Sequence, residues 1–148
     1  MTLQERLTKE IKEAMLARDA DRLLALRQLK SALGYLLIER KTETLADADF
    51  VALAQKEVKK RRDSIEQFEK GGRPELAAKE QKEIVVLEAF LPKPMSPEEL
   101  ESLVKSIIQE IGATSKKDMG AVMKAVQGKV AGRADGKTIS TLVGTLLP

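Results

Sequence analysis

Apolar residues along this chain recur at spacings of three and four rather than two, a rhythm that predicts seven helices and no strand. Leu3, Leu7, Ile11 and Met15 mark one face of the first, opened by Thr2 and Glu5 in a capping-box spacing and ending around Ala17–Asp19. The second, from about Asp19 to Lys41, carries Leu26, Leu29, Leu33 and Leu36, widened by Leu23 and Leu37. Gly34 inside it predicts close packing at that point, since glycine otherwise weakens a helix. The pattern breaks over Thr42–Asp49, where Asp47 or Asp49 is placed to cap a third helix from about Ala48 to Lys70. That helix bears Phe50, Ala54, Val58, Arg61, Ile65 and Phe68. Gly71-Gly72 ends it, and Pro74-Glu75 opens a fourth through Leu76, Glu80, Ile84, Leu87 and Leu91, thickened by Phe90.

Pro92-Lys93-Pro94-Met95-Ser96-Pro97 is the one strong boundary, because three prolines remove donors and bias their predecessors away from helix. It divides the expected fold into residues 1–93, a four-helix domain, and 94–148, a three-helix bundle. Ser96, Pro97 and Glu99 start the fifth helix, whose apolar face runs from Leu100 to Ile111 and stops at Gly112. Ser115 and Asp118 open the sixth, with Met119, Val122, Met123 and Val126, and Gly128 and Gly132 loosen its end. Asp135 is placed to cap the last, which carries Ile139, Leu142, Val143, Leu146 and Leu147. None of these short helices can bury its face alone, so they should pack on one another.

Composition narrows the chemistry. The 148 residues are 43% hydrophobic and 33% charged, which fits a folded all-α chain with well-solvated helices. There is no cysteine and no histidine, so thiolate and Ser–His–Asp catalysis and the usual zinc ligands are excluded. No metal or cofactor is expected. The N-terminus lacks an apolar signal segment and no apolar run approaches a membrane span, so the expected setting is cytoplasmic with no membrane partner.

Net charge is +3 but uneven. Met95–Ile111 sets Lys105 against Glu98, Glu99, Glu101 and Glu110, whereas Gly112–Pro148 holds six bases and two acids. A positive pole of this kind favours a polyanion without encoding DNA specificity. Lys59-Lys60-Arg61-Arg62 looks like a second such patch. Its pairs Lys59–Asp63, Arg62–Glu66 and Glu66–Lys70 are spaced for mutual neutralisation, and the run reads as a solvated, self-paired face. Glu57, Glu66, Glu69, Glu80, Glu83 and Glu88 likewise read as structural charge.

The segment from Gly128 to Lys137 holds three glycines and three bases just before a helix, an arrangement that suits phosphate at free backbone N–H groups. Asp135 competes for the same groups as a cap. The Gly-x-x-x-x-Gly-Lys-Ser/Thr order of a Walker loop is missing. The aromatic residues Tyr35, Phe50, Phe68 and Phe90 are too few to stack splayed bases, so any RNA contact would be to backbone and shape.

Four stretches together resemble the YqeY family: Leu26–Ala32, Lys56–Glu66, Asp118–Met123 and Gly132–Gly136. The likeness runs the length of the chain. From about Ser96 onward that family is similar to the tail of the GatB subunit of tRNA-dependent amidotransferases, which are carbon–nitrogen ligases acting in translation. The resemblance implies an accessory, non-catalytic protein that binds structured tRNA, because the chain has no counterpart of the amidotransferase cradle or of the Ser–Ser–Lys amidase machinery. On matching positions it implies RNA contacts at Lys116, Lys117, Gly120, Lys124, Lys129, Gly132, Arg133, Gly136 and Lys137. The GatB tail more usually reads Gly-Lys-Ala-Asn-Pro at the last turn, where this chain has Asp135-Gly136. The alternative it implies is a module docking on an amidotransferase or an aminoacyl-tRNA synthetase.

Overall fold

A computed structural model describes Met1–Pro148. The chain is all-α: α1 (Leu3–Leu16), α2 (Ala20–Arg40), α3 (Asp47–Lys70), α4 (Pro74–Glu88), α5 (Pro97–Ile111), α6 (Met119–Val130) and α7 (Gly136–Leu146), with one 3-10 turn at Lys116–Asp118. It divides into two compact units, Met1–Leu91 and Pro92–Pro148.

In the first unit α1 to α4 bury one core of Leu7, Ile11, Leu26, Leu29, Phe50, Val58, Ile84, Leu87 and Phe90. Phe50 and Phe90 meet tilted, with ring centroids 5.7 Å apart, and the Arg6 guanidinium lies 4.7 Å above the Phe90 ring. The Thr2–Glu5 capping box forms as the spacing requires. Gly71 and Gly72 end α3, and Gly72 takes φ +70°, a conformation costly to any residue with a Cβ.

Four local expectations are corrected. Met15 is half exposed rather than buried, and Ala14 takes the inward position. A strict four-residue step advances about 40° beyond each 3.6-residue turn, so by the fourth member the stripe has rotated off the core. At Gly34 a Cβ would meet nothing within 4 Å, so that glycine marks no close packing. Neither Asp47 nor Asp49 caps α3, whose N-cap is Ala46 without a side-chain bond. Asp47 Oδ1 instead accepts from the Leu3 N–H at 2.9 Å, closing the start of α1, and Asp49 pairs with Arg40 at 3.1 Å.

The fourth correction concerns the basic run on α3. Arg61 is buried, not solvated. Its Nε donates to Glu83 Oε2 at 3.1 Å, its Nη1 to the Glu57 carbonyl and Oε2 at 3.0 and 3.1 Å, and its Nη2 to Gln28 Oε1. Arg62 reaches Glu88 at 3.8 Å and Lys70 reaches Glu66 at 3.1 Å, whereas Lys60 approaches Glu57 only to 4.0 Å.

In the second unit Leu100, Val104, Ile107, Val122, Val126, Val130, Ile139, Val143 and Leu147 form a separate aliphatic core. Ser96 accepts from the Glu99 N–H at 3.1 Å, with Pro97 at the first helical position. Gly112, at φ +76°, closes α5. No helix is long and apolar enough to cross a membrane.

Candidate nucleic-acid interface

The approach to α6 is built by a reciprocal cap. Ser115 accepts from the Lys117 N–H at 3.4 Å, and Asp118 Oδ2 turns back to accept from Thr114 and Ser115 at 3.0 and 3.4 Å. The carboxylate is thereby spent on backbone donors, and Lys116 and Lys117 project from the same turn into solvent. Burial of Val122, Val126 and Val130 against α5 and α7 turns Lys124 outward, about two helical turns beyond Lys117 on the same side. Gly120 and Gly128 stand one turn either side of Lys124, and a Cβ at either would meet nothing within 4 Å. The helix surface around Lys124 is therefore low, with its backbone open to close approach. Lys129 is also exposed, near the C-terminal end of α6, where the helix dipole favours a cation.

Arg133 behaves differently. It is half buried; its Nε donates to the Lys93 carbonyl at 2.9 Å and its Nη2 pairs with Glu99 at 3.2 Å. Its own carbonyl accepts from the Met95 N–H at 2.9 Å. Arg133 thus pins Lys93 and Met95 of the proline-rich segment to the turn before α7. Gly132, at φ +86°, lets the chain reverse beside it.

The N-terminus of α7 is filled from within. Asp135 Oδ1 accepts from the Thr138 N–H at 2.7 Å, so a carboxylate already occupies the place a phosphate would take. Gly136 opens the helix, and the space beyond its Cα lies 3.9 Å from the Gln127 amide. Lys137 is exposed beside it.

The nine positions therefore separate. Lys116, Lys117, Lys124, Lys129 and Lys137 are exposed and enter no salt bridge, Gly120 adds open backbone, and Gly132, Arg133 and Gly136 shape a turn whose charges are internally engaged. No group of three acidic side chains is gathered to hold a metal ion. The polar cluster that spacing did not single out is Arg61 with Gln28, Glu57 and Glu83. Its signal was present: Arg61 sits at an apolar position of the α3 stripe, between Val58 and Ile65.

Comparison with known proteins places these features in context. The profile of the YqeY-like protein family matches residues 4–147. A Vanderwaltozyma polyspora protein named altered inheritance of mitochondria protein 41, mitochondrial, is 29% identical over 84% of this chain and 66% of its own length. The Lachancea thermotolerans protein of the same name is 31% identical over 71% of the chain and 57% of its own length. An uncharacterized Schizosaccharomyces pombe protein is 35% identical over 62% of the chain and 73% of its own length. This chain thus spans somewhat less than two thirds of the two mitochondrial relatives. Their names overturn the cytoplasmic expectation, which had rested only on missing apolar segments; such an absence says that no helix is long and apolar enough to cross a membrane and carries no compartment. The chain belongs to the YqeY family.

Proposed function

We propose that this YqeY-family chain is a non-catalytic accessory protein whose C-terminal unit docks on structured tRNA through Lys116, Lys117, Lys124, Lys129 and Lys137. The observation that carries the reading is the contrast within the unit: five exposed lysines lack a carboxylate partner while Arg133, Asp118 and Asp135 are spent internally. Lysine ammonium groups on a low helix surface suit the phosphate backbone of a folded RNA, which is read by shape and charge rather than by stacking. Tyr35, the one strongly exposed aromatic side chain, lies in the other unit. The choice of tRNA over other structured RNA rests on the likeness of the C-terminal portion to the GatB tail, as does the link to amidotransferases. A chain without histidine or cysteine is equipped to hold such an RNA rather than to act on it.

Titration of tRNA at several salt concentrations tests this. Each phosphate contact contributes a slope of about 0.9 in log affinity against log salt, so Lys117→Ala/Lys124→Ala should reduce the slope by about two and weaken binding at low salt. Equal affinity and equal slope for the double variant and the native chain would remove α6 from the interface.

A further inference from the structure

We infer that Gln127 is the residue with which the C-terminal unit distinguishes ribose from deoxyribose, its side-chain amide meeting a 2′-hydroxyl while neighbouring lysines hold phosphate. The inference rests on the tRNA reading above and adds to it a chemical reason for RNA over DNA. A 2′-hydroxyl both donates and accepts a hydrogen bond, and so does a glutamine amide. A lysine only donates, and it finds phosphate on either polymer.

The place of Gln127 follows from how α6 and α7 pack. A Cβ on Gly136 would lie 3.9 Å from Gln127 Nε2, and one on Gly144 would lie 3.9 Å from Met119 Cε. The first turn of α7 thus meets the later part of α6, and the end of α7 meets its start, so the two helices run antiparallel. Gly136, Ser140 and Gly144, at four-residue spacing, form the side of α7 turned to α6. Gly120 lies two turns before Gln127 on the same side of α6, so the seam between the helices is shallow along its length. Gln127 is exposed over this seam, and its amide bonds no other group of the protein.

Cations flank that amide. Lys124 stands one turn before Gln127 on α6, with Cβ atoms about 5–6 Å apart, and Lys137 follows Gly136 on α7. A phosphate held by Lys124 therefore brings the adjoining ribose of the same strand within reach of Gln127. Neither α6 nor α7 contains an acid, and the two that follow Gly112, Asp118 and Asp135, are spent as caps. On α5, Glu99 and Glu101 are held by Arg133 and Lys105, while Glu98 and Glu110 stand at its two ends. The wide, shallow minor groove of an A-form stem displays 2′-hydroxyls beside phosphates. A low seam with one free amide between two cations is matched to that surface.

The test titrates the full chain with two fluorescein-labelled hairpins of one stem sequence, one all-ribose and one carrying 2′-fluoro sugars throughout. Fluorine keeps the A-form sugar pucker and removes the hydroxyl. The native chain should bind the ribose hairpin about fivefold more tightly, the scale of one neutral hydrogen bond. Gln127→Met should weaken ribose binding to the fluoro level and leave fluoro binding, helical circular dichroism and the salt slope unchanged, since no charge is removed. Equal binding of the two hairpins by the native chain, a ribose preference that persists in Gln127→Met, or a lower salt slope in that variant overturns the inference. The first two results leave the lysine surface and the tRNA reading standing. Binding of tRNA but of neither hairpin likewise overturns the inference alone, whereas a native chain that binds no RNA removes both.

Discussion

Arg61 on α3 and Glu83 on α4 form a buried ion pair, Nε to Oε2 at 3.1 Å, with only 8% and 9% of their side chains exposed. Glu57 shares the guanidinium from one turn earlier on α3, and Gln28 brings in α2. Each of the three guanidinium nitrogens donates to at least one named oxygen. The pair therefore specifies how three helices face one another, at the expense of desolvating two charges.

Removing one partner should be more harmful than removing both. Arg61→Ala leaves Glu83 buried without its cation and is expected to lower stability by about 3–5 kcal/mol, whereas Arg61→Met with Glu83→Leu should restore much of that. Urea denaturation of the three proteins checks it. A single variant as stable as the native chain would show that the network does not hold the unit.

Glu80, one turn before Glu83, makes the unit sensitive to pH. Its carboxyl is pushed above the usual 4.5, first by burial and then by the charge and hydrogen bond of Glu83, with Arg61 and Lys79 acting in the opposite direction. The folded state thus holds this proton more tightly than the unfolded chain. Ionised Glu80 costs stability above its folded pKa; the cost is relieved as pH falls through that value, and nothing more is gained below 4.5. Glu80→Gln should therefore raise the urea midpoint at pH 7 and narrow its difference from pH 5. An unchanged pH profile would exclude Glu80 as its source.

Two glycines should respond with opposite signs. Gly34 is helical and a Cβ there meets nothing within 4 Å, so Gly34→Ala should stabilise by about 0.5–1 kcal/mol. Gly112 closes α5 at φ +76°, so Gly112→Ala should cost about 1–2 kcal/mol despite equally open space. Thermal midpoints of the two variants moving in the same direction would contradict this account.

Local rules in the residue order determined the helices themselves: the Thr2–Glu5 and Ser115–Asp118 boxes, Pro74 and Pro97 at first turns, Asp135 before α7, and the apolar stripes that close two cores. Each depends on neighbours within about one turn, so spacing alone reveals it. Tertiary structure decided which polar groups were free. Asp47 went to Leu3 on another helix, Arg61 to Gln28, Glu57 and Glu83, and Arg133 to Lys93 and Glu99. A basic residue looks the same in sequence whether it meets solvent or a carboxylate from a distant segment. Only the fold separates the five uncommitted lysines from the arginine beside them, because side-chain partnership is a property of long-range contact and not of local periodicity.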